Sequence, residues 1–88
     1  MEFDQLLVRF FGSEDITTLD TDQLVHGVER LRLQFGLERD RGRRFALWCL
    51  MFMLGVAPSV SDAFEDADDR EAARDFMETV EREQDAEQ

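Results

Sequence analysis

The hydrophobic pattern of this chain is dominated by ten successive apolar residues, from Phe45 to Leu54. Successive residues on an α-helix are about 100° apart, so a run of this length places apolar side chains on every side of the helix. Such a helix has to be enclosed by the rest of the protein. We therefore predict a central helix over about residues 43–54, ended by Gly55 and Pro58.

Two shorter amphipathic stretches precede the central run. Residues 2–11 carry apolar side chains at helical spacing, and Gly12 follows them, where a left-handed C-terminal cap would lie. Residues 21–35 follow a capping-box pattern that begins at Asp20, and Gly36 stands directly after their last apolar residue. We predict one helix for each stretch, each ending at its glycine.

The C-terminal part of the chain contains two further helix starts. Ser59 and Asp62 have capping-box-like spacing and predict a short helix. Asp68 and Glu71 have the same spacing and predict the start of the last helix, with Asp68 as its N-cap. The acidic residues around this cap are then expected in a solvated connection between the two helices.

These elements together predict an all-α fold. No stretch alternates apolar and polar residues as a half-buried strand would. We expect a single small bundle of four or five helices, with the apolar helix at about 43–54 in its centre. Residues 1–83 form the single helical domain, and the polar, acidic tail at 84–88 is expected to fray.

Charge is distributed unevenly along the chain. The net charge is −11, of which −9 lies in residues 62–88, where 12 acidic residues face 3 arginines. Arginines gather instead just before the apolar run, between residues 30 and 44. A protein with this balance is attracted by basic protein surfaces and repelled by nucleic acid and by anionic membranes. The longest apolar run, 13 residues to Ala57, is also shorter than the ~20 that span a bilayer.

The residues that usually carry chemistry are few. His26 is the only histidine and is expected to be solvated on the outer side of its helix, which leaves no histidine-rich metal site. Cys49 is the only cysteine and lies inside the apolar run, where we expect a packed thiol and not a nucleophile. We predict no catalytic, cofactor-binding or metal-binding residues and no enzyme activity. The single cysteine and the acidic N-terminus, without a signal-peptide pattern, favour a cytoplasmic protein.

Neither of the two charged clusters has the pattern of a known ligand-binding motif. Calcium binding of the EF-hand type requires Gly at the sixth and Glu at the twelfth loop position, but counting from Asp62 gives Ala67 and Ala73. The arginines at positions 39–44 are interrupted by acidic residues and lack an aromatic stacking platform. We expect these arginines to pair with the acidic end of the chain, and we expect no direct nucleic-acid binding.

Protein binding is the function that the sequence favours. Only residues 2–11, 21–35 and 69–83 can enclose the central helix, so incomplete cover predicts a homodimer. We expect a small non-enzymatic module that acts stoichiometrically on a basic protein target, in the manner of an immunity protein, antitoxin, inhibitor or adaptor. The predicted partner-binding residues are Glu65, Asp66, Asp68, Asp69, Glu71 and Asp75, with Leu33 and Phe11 as exposed apolar anchors.

Two alternatives stay open. The acidic residues could imitate nucleic acid and inhibit a DNA- or RNA-binding protein, which requires carboxylates spaced like phosphates. The chain could instead form a structural homo-oligomer in which the acidic face only confers solubility.

Overall fold

The computed structural model of the chain describes residues 3–86. It contains five α-helices and one 3₁₀ helix, and no strand occurs among these residues. The all-α bundle predicted from the sequence is confirmed. The elements are α1 (Phe3–Phe11), the 3₁₀ helix (Ile16–Thr18), α2 (Thr21–Leu37), α3 (Arg41–Met53), α4 (Val60–Ala63) and α5 (Ala67–Ala86).

Side-chain caps set the starts of three helices, and those at Asp20 and Ser59 confirm the predictions. The Asp20 carboxylate accepts a hydrogen bond from the Gln23 backbone N–H at 2.8 Å, and the Gln23 side chain accepts one from the Asp20 N–H at 3.0 Å. Asp40 accepts from the Arg43 N–H at 2.9 Å at the start of α3, and Ser59 caps α4. Each cap supplies a partner for an N–H that has none inside the helix, and is worth about 1 kcal/mol.

Two of the three predicted glycine stops are confirmed. Gly12 and Gly55 have φ angles of +78° and +77°, the left-handed conformation of a helix C-terminal cap. The predicted stop at Gly36 is wrong, because α2 continues through it to Leu37. The Gln34 side chain donates to the Glu38 carboxylate at 3.2 Å, and the Glu38 N–H donates to the Gln34 carbonyl at 2.9 Å. These bonds favour the additional helical residues.

The start of α5 differs from the prediction. The helix begins at Ala67, and the side chain that accepts from its first turn is that of Asp66, which receives the Asp68 N–H at 2.8 Å. Asp68 is therefore inside the helix and is not its cap. A carboxylate at position 66 caps as well as one at 68, and the earlier start places Asp69 beside Arg41 of α3. The acidic residues from Asp68 onward lie on a helix and not in a connection.

The C-terminal end of α5 extends beyond the predicted domain boundary. The backbone is helical to Ala86, whereas the predicted domain ends at residue 83. With 20 residues and a rise of about 1.5 Å per residue, α5 is about 30 Å long. The predicted helix start at residue 2 and the last part of the predicted tail, residues 87–88, lie outside the described residues.

The core is built around α3, as the apolar run predicts. Five consecutive residues of this helix, 47–51, are buried, and Trp48 is only 1% exposed. Phe64, which follows α4, packs its ring against Phe35 and Trp48 at centroid distances of 6.3 and 5.7 Å. The other helices and their connections contribute Phe10, Phe11, Leu31, Val60, Ala63 and Ala73 to the buried core, whereas Met53 at the end of α3 is 55% exposed.

Helix α1 docks on α2 through a glycine. The ring of Phe11 lies against the backbone of Gly27, and a Cβ atom there would overlap the ring and lie 3.0 Å from the Phe10 carbonyl oxygen. Phe11 is only 6% exposed as a result. The prediction that Phe11 is an exposed anchor is therefore wrong, because the absence of a side chain at position 27 lets the ring be buried.

We predict that Gly27→Ala destabilises the protein by about 2 kcal/mol, because overpacking a buried contact costs about 1–3 kcal/mol and exceeds the gain in helix propensity. Gly36→Ala is the matched control on the same helix. No atom lies within 4 Å of its Cβ position, so we expect stabilisation of about 0.5–1 kcal/mol. Urea unfolding of both variants measures the difference. Equal stabilisation by the two substitutions would contradict the docking of α1 on Gly27.

Candidate functional site

Acidic side chains form a stripe along the outer side of α5. Asp68, Glu71, Asp75 and Glu78 are all exposed, and their spacing of three, four and three residues places them on the side opposite Ala73, which is fully buried. We call these four residues the acidic stripe. With a rise of about 1.5 Å per residue, the stripe is about 15 Å long. It contains three of the six predicted acidic residues and adds Glu78.

Two other predicted residues, Asp66 and Asp69, are engaged inside the molecule. Arg41 donates to both carboxylate oxygens of Asp69, from Nε at 3.2 Å and from Nη2 at 3.0 Å, and approaches Asp66 at 3.4 Å. The carboxylate of Asp69 raises the pKa of Arg41 by accepting these hydrogen bonds. The predicted pairing of the arginine cluster with the acidic end is confirmed at Arg41. Glu65 lies next to this pair and is exposed.

Arg44 has a structural role that the sequence analysis missed. Its guanidinium donates to the carbonyl oxygens of Phe35 at 2.7 Å and of Ala63 at 2.6 Å, and lies over the Phe35 ring at 4.0 Å from the centroid. Both carbonyls belong to the last turn of a helix, where they have no partner inside the helix. The sequence does contain a signal for this role. Arg44 lies one helical turn before Trp48, so both side chains are on the same side of α3.

A groove of about 380 Å³ lies between these two arginines. Arg41 and Arg44 line it together with the carboxylates of Glu38, Asp62 and Asp69. The groove therefore contains charges of both signs, and at least Arg41 and Asp69 already neutralise one another. Among residues 3–86, no group of three or more His, Cys, Asp or Glu side chains is arranged to hold a metal ion.

The two candidate reactive residues lie where the sequence predicts. Cys49 is fully buried in the core, and burial raises the pKa of its thiol to about 12. The thiol is therefore protonated at neutral pH, and the thiolate that would act as a nucleophile is scarce. His26 is exposed on the outer side of α2.

Exposed apolar side chains mark a second part of the surface. Leu33 is 65% exposed, as predicted, and Leu37 is exposed to the same extent one turn later on α2. Leu37 was missed because α2 was expected to end at Gly36, which would have placed this residue in a connection. The two leucines form an apolar pair, which we call the leucine pair, on the solvent side of the helix.

Two further findings bear on the class of the protein. Within residues 3–86, no helix has both the length and the apolar character required to cross a membrane. Comparison with protein-family models, curated proteins and solved structures finds no match to this chain.

Proposed function

We propose that this chain is a small, non-enzymatic binding module that acts stoichiometrically on a basic protein, as an immunity protein, antitoxin, inhibitor or adaptor does. The acidic stripe on α5 is the surface that attracts the partner. Exposed Leu33 on α2 makes an apolar contact with the same partner. In this proposal Asp66 and Asp69 keep their internal contacts with Arg41 and contribute mainly to the electric field.

The observation that carries the proposal is the absence, in the described part of the chain, of internal ion pairs at three of the four residues of the stripe. Within residues 3–86, no arginine forms an ion pair with Asp68, Glu71 or Asp75, whereas Asp66 and Asp69 are paired. Carboxylates that stabilise the fold are expected to be engaged like Asp69. Three successive carboxylates without an ion pair on one side of a helix are instead suited to attracting a cationic surface.

The spacing of the stripe favours a basic protein surface over nucleic-acid mimicry. Neighbouring carboxylates of the stripe are three or four residues apart, which corresponds to about 4.5–6 Å along the helix axis. B-DNA carries one phosphate charge per about 1.7 Å of helix axis with both strands counted, so the stripe has a lower charge per axial length than the duplex it would imitate. Arg82 also follows Glu78 and interrupts the negative charge, with the two side chains 3.7 Å apart.

We predict that neutralising the stripe slows association with the partner by about tenfold, because electrostatic attraction acts on the encounter. The variant is Asp68→Asn with Glu71→Gln and Asp75→Asn. The partner is captured from the source cell and identified by mass spectrometry, and its association rate is then measured by surface plasmon resonance. Measurement at ~50 and ~300 mM salt separates charge attraction from contact, because the Debye length falls as salt is added.

The matched control changes the net charge equally on another surface. Glu14→Gln with Asp22→Asn and Glu29→Gln removes three exposed carboxylates away from α5. We expect this control to change the association rate by less than about twofold. Equal slowing by both triple variants, or no salt dependence in the wild type, would show that α5 is not the surface that attracts the partner.

A structural homo-oligomer is the second candidate function, and the leucine pair favours it. Leu33 and Leu37 present adjacent apolar side chains to solvent, which self-association would bury. Sedimentation equilibrium tests this candidate, with a dimer expected at micromolar concentration and a monomer for Leu33→Gln with Leu37→Gln. A wild-type monomer at several times that concentration would leave only the binding function.

A further inference from the structure

A groove between α4 and α5 combines an apolar floor with an acidic rim. Its volume is about 340 Å³. Val60 of α4, which is 9% exposed, and the half-buried Met77 of α5 supply apolar lining. Arg74, Glu78 and Glu81 of α5 complete the lining, so two carboxylates and one guanidinium leave it with a net negative charge. We call this the acidic groove.

A second groove of the same size provides an internal comparison. It is also about 340 Å³, lies beside the loop that follows α3, and is lined by Phe35, Met51, Val56, Ala57 and Pro58. Its charged residue is Arg32, so we call it the Arg32 groove. The two grooves match in volume, but the net charge of their lining side chains has opposite sign. Any ligand that carries a net charge can therefore distinguish them.

We infer that the acidic groove receives a large apolar side chain from a basic amphipathic helix of the partner, with lysine or arginine flanking that side chain. This inference rests on the proposed function and names the segment by which the basic protein docks. The cations would approach Glu78 and Glu81 while the apolar side chain contacts Val60 and Met77. Methionine suits such a contact because its unbranched side chain adapts to different shapes.

The charges of the groove favour this occupant over a second copy of the chain. Two copies related by a two-fold axis would bring Glu78 and Glu81 close to the same residues of the other copy, and each copy carries a net charge of −11. The ion pair of Glu78 with Arg82 does not prevent Glu78 from binding a cation of the partner protein. Arg82 lies 3.7 Å from it, but both side chains are more than two-thirds exposed, so this pair is worth little.

The test uses a synthetic peptide as the probe and the full chain labelled with ¹⁵N. The peptide has about 14 residues, with leucines on one side of a helix and lysines on the other. We expect its addition to shift the amide signals of Val60, Met77 and Glu81 and to leave those of Val56 and Ala57 unchanged. A peptide with glutamate in place of every lysine is the control for apolar contact alone, and we expect it to leave the acidic groove unchanged.

Two double variants separate the groove from the general negative charge of the molecule. Glu78→Gln with Glu81→Gln removes the rim charges, and we expect the dissociation constant of the lysine peptide to rise about fivefold or more. Asp22→Asn with Glu29→Gln removes the same charge from α2, outside both the groove and the acidic stripe, and we expect a rise below about twofold. All four residues are exposed, so both variants should fold.

Three results would overturn the inference: signals that shift around the Arg32 groove, equal weakening by the two double variants, or equal binding of the glutamate peptide. These failures are distinct from failure of the proposed function. If the peptide does not use the groove while neutralisation of the stripe still slows association with the captured partner, the docking site is wrong and the binding function stands. If the stripe has no effect on that association while the peptide occupies the groove, the groove stands and the role of the stripe is wrong.

Discussion

Trp48→Ala should lower the free energy of unfolding by about 3–5 kcal/mol, a large part of the ~5–15 kcal/mol typical of a folded protein. The side chain is 1% exposed and stacks on Phe52 at a centroid distance of 5.5 Å. Its indole N–H donates to the Pro58 carbonyl oxygen at 3.0 Å. The substitution therefore leaves both a large cavity in the core and an unpaired carbonyl in the loop after α3.

Trp48→Phe separates the two contributions. Phenylalanine keeps most of the ring contacts but cannot donate to Pro58, so we expect a smaller loss of about 1–3 kcal/mol. Urea unfolding monitored by circular dichroism measures both variants. The wild-type tryptophan should also emit at a blue-shifted wavelength, since water does not reach the indole. Emission typical of an exposed indole, together with unchanged stability of the alanine variant, would contradict the central position of α3.

Arg44→Met should destabilise the protein by about 2–4 kcal/mol. Two hydrogen bonds from a charged group are lost, each worth about 1.5–3 kcal/mol, but the side chain is only half-buried and water replaces part of them. Methionine retains the apolar stem against Phe35 but leaves the Phe35 and Ala63 carbonyls without their donor. Arg44→Lys should lie between the wild type and Arg44→Met, because an ammonium group lacks the planar geometry that serves both carbonyls.

The neighbouring arginine is a matched control for Arg44. The Arg43 side chain is 80% exposed and lies 3.9 Å from Glu38, a distance at the limit of an ion pair. Arg43→Met should change the free energy of unfolding by less than about 0.5 kcal/mol. Urea unfolding of the three variants ranks them, and equal effects at positions 43 and 44 would show that Arg44 does not bridge α2 and α4.

The parts of the fold that the sequence predicts are those determined by neighbouring residues. Ten apolar residues in succession locate α3, and the capping patterns at Asp20 and Ser59 locate the starts of α2 and α4. The wrong predictions depend on contacts between distant residues or on competition between similar ones. Burial of Phe11 requires Gly27 of another helix, and Asp66 and Asp68 are equally capable as caps until Arg41 is placed.

The candidate site likewise has features that the sequence predicts and features that depend on contacts between distant residues. The excess of carboxylates after residue 61 is visible in the sequence, and so is the exposure of Leu33. Which carboxylates are free depends on the position of Arg41, which lies 28 residues before Asp69 in the chain. The acidic groove depends on packing of α4 against α5, so no local pattern could have paired Val60 with Met77.

The order in which the helices pack has a consequence for the rate of folding. Helix α1 packs on α2, α2 on α3 and α4 on α5, so most of the packing joins helices that are adjacent in the sequence. Such topologies have low contact order and fold within microseconds to milliseconds. The packing of α3 against α5 closes a longer loop, and the Arg41–Asp69 contact spans it. Among these contacts, docking of α5 on α3 therefore has the largest entropic cost of loop closure. We expect the height of the folding barrier to depend on whether α5 is in contact with α3 in the transition state.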